Sequence, residues 1–161
     1  YIQGEWTDQE KALIGQEKGV GTAFLEMAAV DFLLAASEGV GGFEGKAFDF
    51  YCDNQTAVCI LTSYKSRTLP LSLQLESIDR RCEVSEYTVA FMYINTKLNV
   101  GSDALSRDAI DEFIEYLTRV YGVDTFVELQ VPDDVRDIRA TVSEFMSNPG
   151  HIVLDGKGSE N

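Results

Sequence analysis

Hydrophobic and polar positions alternate in blocks along this chain, and each block has its own period. Thr22 to Ala36, TAFLEMAAVDFLLAA, holds neither Gly nor Pro and is built from good helix formers. It is apolar nearly all round, which predicts a helix covered on more than one side. Gly39, Gly41 and Gly42 end it. Lys46 to Asp53 alternates instead: Phe48, Phe50 and Cys52 share one face, and Ala47, Asp49, Tyr51 and Asp53 the other. That period of two predicts a strand ending at Asp53. Asn54 is placed to cap a helix over Gln55–Tyr64. After a turn around Ser66–Pro70, Leu71, Leu75, Ile78 and Cys82 recur at helical spacing. Tyr87 to Ile94, YTVAFMYI, is rich in β-branched and aromatic residues and predicts a second strand. Asn95–Gly101 reads as a loop. From Ser102 the pattern is helical again, with Ile110, Phe113, Ile114, Leu117 and Tyr121 along one face. Weaker signals predict short strands at Gln3–Thr7 and Thr125–Val131 and a helix over Asp134–Met146.

The strong elements alternate between helix and strand, which predicts an α/β fold with helices on the faces of a sheet. Gly-rich, polar residues 148–161 read as a tail. The length of 161 residues suits one domain, and 45% hydrophobic composition is enough to bury a core. No stretch approaches about 18 uncharged apolar residues, so no membrane-spanning segment is expected. Cys52, Cys59 and Cys82 are odd in number and lack metal-like spacing, so they read as reduced thiols of a cytoplasmic or nuclear protein. The chain opens at Tyr1 without an apolar leader, which reads as a piece of a longer polypeptide.

Charge narrows the partners. The net charge is −14, the opposite sign to a self-sufficient nucleic-acid binder. Residues 61–120, with 7 basic against 9 acidic side chains, are the third where contact with nucleic acid is least opposed.

Three carboxylates stand in unusual places. Glu26 lies within the most apolar helix, Asp53 ends an apolar strand, and Asp103 begins a helix directly after a loop. A buried carboxylate must be paired, protonated or bound to a cation. Mg²⁺ prefers oxygen ligands, and two such ions about 3.5–4 Å apart hold both the attacking water and the leaving oxygen of a phosphodiester. Ordinary readings stand beside this one: Glu26 facing solvent or pairing with a lysine, Asp53 capping the next helix, and Asp103 favoured by its helix dipole.

The wording around these acids adds a resemblance. Leu25-Glu26-Met27-Ala28, then Asp53-Asn54-Gln55-Thr56-Ala57-Val58, then Asn99-Val100-Gly101-Ser102-Asp103-Ala104-Leu105-Ser106-Arg107 resemble, in order and spacing, the ribonuclease H domain of DIRS-type and gypsy-type retroelement reverse transcriptases. The last phrase is the most specific. The resemblance runs from about Gly4 to Arg107 and more loosely to Val131-Pro132. It implies an RNase H-like mixed sheet flanked by helices, without its first strand, with a C-terminal helical extension. It divides the chain into an RNase H-like domain over residues 1–121, an acidic extension over 122–147 and a flexible tail over 148–161.

The resemblance further implies metal-dependent hydrolysis of the RNA strand of an RNA–DNA hybrid, beside an attached reverse transcriptase polymerase. Glu26, Asp53 and Asp103 match three acids of the family's Asp-Glu-Asp-Asp site, which holds two Mg²⁺ or Mn²⁺ ions. Asn54 and Asn99 match motif neighbours. Lys65, Ser66 and Arg67 fall where such domains meet the hybrid backbone, a phosphate-contacting role; a solvated turn would carry the same residues. Two departures accompany the match. No residue corresponds to the first Asp, since Glu5, Asp8, Glu10 and Glu17 all lack its context. Tyr93-Ile94-Asn95-Thr96 stands where the family often has His-Ile-Pro-Gly, and His151 lies far away in the tail. They motivate a second expectation, a degenerate, non-catalytic scaffold or protein-interaction module. A third is a nuclease acting on DNA.

Overall fold

The computed structural model describes Tyr1, Ile2, Trp6 and residues 21–130. Helix α1 (Gly21–Val40) is followed by strand β1 (Ala47–Cys52), helices α2 (Gln55–Ser63) and α3 (Leu69–Val84), and strand β2 (Thr88–Tyr93). A 3₁₀ turn (Thr96–Leu98) leads to helices α4 (Val100–Ser106) and α5 (Ile110–Tyr121). The expected strand at Gln3–Thr7 and helix at Asp134–Met146 fall on positions outside the described residues, apart from Trp6. Residues 125–130 hold a single bridge, Ile2 to Leu129, rather than a strand.

The sheet among the described residues has two strands, paired in parallel from Ala47 with Thr88 to Cys52 with Tyr93. Parallel strands need a crossover, and α2 and α3 supply it. The fold is therefore mixed α/β, with β1 where the period-two pattern placed a strand and β2 where the β-branched and aromatic run did. Phe48, Phe50, Val89 and Phe91 pack against the core, while Asp49 and Tyr51 point outward. The Phe50 and Phe91 rings lie 5.8 Å apart across the pair.

Helix α1 is covered on two sides, as its all-round apolarity predicts. One side (Phe24, Met27, Val30 and Leu34) joins Leu61, Leu71 and Ile78 in the main core. Another (Ala28, Phe32 and Ala35) meets Ile2 and Trp6. Just past the end of α3, Glu86 takes φ +55°, with the Tyr87 amide bonded to the Cys82 carbonyl, and this turn feeds the chain straight into β2.

The helical pattern expected from Ser102 onward is two helices, not one. Asp108 adopts φ +59°, the Asp108 amide bonds to the Leu105 carbonyl and the Ala109 amide to the Ala104 carbonyl. That is a Schellman stop with Asp in the left-handed position, where Gly is usual. The sequence hides it because no Gly or Pro marks the break.

Candidate metal centre

Glu26 sits on α1, and Cys52 and Asp53 sit at the C-terminal end of β1. One ligand atom from each lies within 4.8 Å of the others. The link between α1 and this strand end is local. Asn54 accepts the Ala57 amide at 3.1 Å, capping α2, and donates from Nδ2 to Thr22 Oγ1 at 2.9 Å. The same residue thus starts one helix and ties it to the first turn of another. Asp53 is the residue immediately before this cap.

Electrostatics mark Glu26 as strained. Burial pushes the Glu26 carboxyl above its ordinary range, the nearby Asp53 charge adds to this, and a hydrogen bond from the Cys52 thiol opposes it. That bond spans 3.7 Å, from Sγ to Oε2. Burial, followed by the charges of Glu26 and Asp53, pushes the Cys52 thiol up to about 11, while its contact with the Asn54 backbone acts the other way. Cys52 is therefore a thiol at neutral pH, a donor to Glu26 and a poor ligand for a hard ion. The two carboxylates are the hard oxygen donors that Mg²⁺ or Mn²⁺ prefers, and a cation between them would relieve the repulsion that raises Glu26. The donor set fits one such ion.

Asp103 lies outside this cluster. It is exposed on the first turn of α4 and bonds to Arg107 at 3.1 Å, and Arg107 in turn reaches Glu112 at 3.2 Å. The structure thus brings together two of the three expected acids, Glu26 and Asp53. Asn99 stands immediately before α4 without a side-chain cap bond. Lys65 and Arg67 are exposed on the turn between α2 and α3. There Ser66 Oγ bonds to both the carbonyl and the amide of Thr68, and Tyr64 takes φ +53°. That turn is the basic projection between the two crossover helices.

Among the described residues, the most deeply buried carboxylate is one the sequence pattern did not single out. Asp31 is 0% exposed. Its Oδ1 accepts Arg81 Nε at 2.8 Å, and its Oδ2 accepts Gln74 Nε2 at 2.8 Å and Ser77 Oγ at 3.0 Å. Arg81 also donates to Glu38 at 2.8 Å, and Glu38 accepts Ser85 Oγ at 3.1 Å. Every oxygen of Asp31 is used by protein, which makes it a structural clamp between α1 and α3. A signal was there: Gln74, Ser77 and Arg81 form a polar stripe at helical spacing, opposite Asp31 and Glu38 one heptad apart on α1. Compared with known proteins, the chain matches no family model, no curated protein and no solved structure.

Proposed function

We propose that this chain is an RNase H-like domain of a retroelement reverse transcriptase that hydrolyses the RNA strand of RNA–DNA hybrids in a metal-dependent reaction. One observation carries the reading: Glu26 and Asp53, far apart in sequence, meet at the end of β1, where the sequence resemblance requires two acids to meet. Glu26 and Asp53 would hold a Mg²⁺ or Mn²⁺ ion, with Cys52 orienting Glu26 through its thiol hydrogen bond. When bound, such an ion lowers the pKa of a coordinated water and stabilises charge on a phosphodiester oxygen. Lys65 and Arg67, on their exposed turn, would contact hybrid phosphates. The net charge of −14 supports a reading in which an associated polymerase domain supplies most of the substrate affinity. Among the described residues no helix is long and apolar enough to cross a membrane. The three free thiols suit the reducing cytoplasm or nucleus.

A second reading, a non-catalytic scaffold, is favoured by the ion pair that holds Asp103 against Arg107, outside the two-acid cluster. Cleavage of an end-labelled RNA–DNA hybrid at low salt with Mg²⁺ or Mn²⁺ separates the two. The chain, a version extended at its N-terminus and Asp53→Asn in each are assayed, with duplex DNA in parallel. Hybrid-selective cleavage lost in Asp53→Asn supports the nuclease. No cleavage by folded proteins supports the scaffold, and cleavage of duplex DNA alone would move the substrate to DNA.

A further inference from the structure

Helix α1 keeps one less-buried stripe through its first turns, and Glu26 lies on it. Between Thr22 and Ala29, the buried positions are Ala23, Phe24, Met27 and Ala28. Thr22 and Ala29 are exposed, and Leu25 and Glu26 are half-buried. Thr22 stands four residues before Glu26, so both side chains leave the same face, about 6 Å apart along the helix axis. On the facing element, Asp53 and Asn54 follow β1 directly.

Two side-chain hydrogen bonds join these elements. The Cys52 thiol, a weak donor, reaches Glu26 Oε2 at 3.7 Å. The Asn54 amide donates from Nδ2 to Thr22 Oγ1 at 2.9 Å, the ordinary length of a full N–H···O bond. The orientation of that amide is fixed. Its Oδ1 accepts the Ala57 amide at 3.1 Å, a group that can only donate, so Nδ2 points to Thr22 and the Thr22 hydroxyl accepts. The cap of α2 therefore sets the direction in which Asn54 holds α1.

We propose that Thr22 is a positioning residue of the metal centre. Through Asn54, its hydroxyl holds the first turns of α1 against the residue after Asp53, and so sets the separation of the Glu26 and Asp53 carboxylates. Packing of Met27, Ala57 and Leu61 in one core brings α1 and α2 together, but apolar contacts are non-directional, and a working site tolerates misplacement of only about 0.5 Å. The Thr22–Asn54 bond supplies the missing direction. It is exposed, so its loss gives both groups to water and leaves the stability of the fold nearly unchanged. The inference rests on the Glu26–Asp53 reading of the site, and Thr22 itself is no ligand in it.

The test is the Mn²⁺ affinity of the full chain, read from the loss of the free-ion electron paramagnetic resonance signal, together with the metal-free Tm. The parent is compared with Thr22→Val, which keeps the shape and removes the acceptor, and with Thr22→Ser, which keeps the acceptor. Thr62→Val is the control, because the exposed Thr62 hydroxyl bonds to the Val58 and Cys59 carbonyls of its own helix. Thr22→Val should weaken Mn²⁺ binding about tenfold or more, as loss of a group that orients a ligand does. Thr22→Ser and Thr62→Val should bind within about twofold of the parent, and the metal-free Tm of Thr22→Val should stay within about 2 °C of it. Undiminished binding in Thr22→Val, or binding as weak in Thr22→Ser as in Thr22→Val, would overturn the inference and leave the two-carboxylate site in place. A larger fall in the metal-free Tm would make the loss one of folding and overturn it too. A parent chain that binds no Mn²⁺ would overturn the two-carboxylate site itself, and the inference with it.

Discussion

Replacing Asp31 by Asn separates the clamp from the metal centre. The substitution keeps the shape but removes the charge, and it turns one of the two acceptor oxygens into a donor. That nitrogen then faces either Arg81 Nε or the Gln74 and Ser77 donors, all of which need an acceptor. Breaking one side of a buried pair typically costs about 3–5 kcal/mol. Arg81 keeps Glu38, whose side chain is 30% exposed, so the lower end applies, about 3 kcal/mol. Against a total stability of about 5–15 kcal/mol this is a large share. It corresponds to a fall in Tm of roughly 6–12 °C for a chain of this size. Urea unfolding followed by far-ultraviolet circular dichroism reads it as a lower midpoint with an unchanged slope. Replacing Asp31 and Arg81 together by leucines should not recover the loss, because the buried Gln74 and Ser77 donors are left without an acceptor and Glu38 loses its partner. A loss below about 0.5 kcal/mol in the single variant would refute the clamp, since ordinary surface changes cost that much.

Glu26, five residues earlier on the same helix, should behave in the opposite sense. Its folded pKa lies above the unfolded value near 4.5, so its protonated form favours the fold at low pH and that stability is lost as pH rises through the folded pKa. Glu26→Gln should therefore raise Tm at pH 7, with the gain vanishing below the unfolded pKa; a lower Tm at pH 7 would contradict this. Asn54→Ala removes the α2 cap and the tie to Thr22, and denaturant unfolding should show a loss of about 1–2 kcal/mol. Alkylation at pH 8 should label the exposed Cys59 first and leave Cys52 protected, mass spectrometry of peptides giving the order.

Local patterns were legible where one physical rule dominated. The alternation of Phe48, Phe50 and Cys52 marked β1 because one sheet face is packed and the other is open. Asn54 marked the start of α2 because a cap bond needs a short side-chain acceptor at that position. The break after α4 was not legible, since Asp108 takes a conformation that the sequence usually signals with Gly. At the site, Glu26 and Asp53 stood out as acids within apolar elements. Asp31 stood in equally apolar surroundings, and only its partners on α3, a long-range pairing, reveal it as structural. Asp103 stood out by its motif, but the nearby Arg107 offers an ion pair that local spacing alone also predicts.

In the proposed site, Glu26 and Asp53 together hold a divalent cation. Titration of the chain with Mn²⁺, followed by the loss of the free-ion electron paramagnetic resonance signal, tests it directly. The account predicts saturable binding that is lost in both Glu26→Gln and Asp53→Asn and retained in Asp31→Asn, with Mn²⁺ raising the Tm of the parent alone among the first three. Binding of equal strength in Glu26→Gln and Asp53→Asn would contradict it.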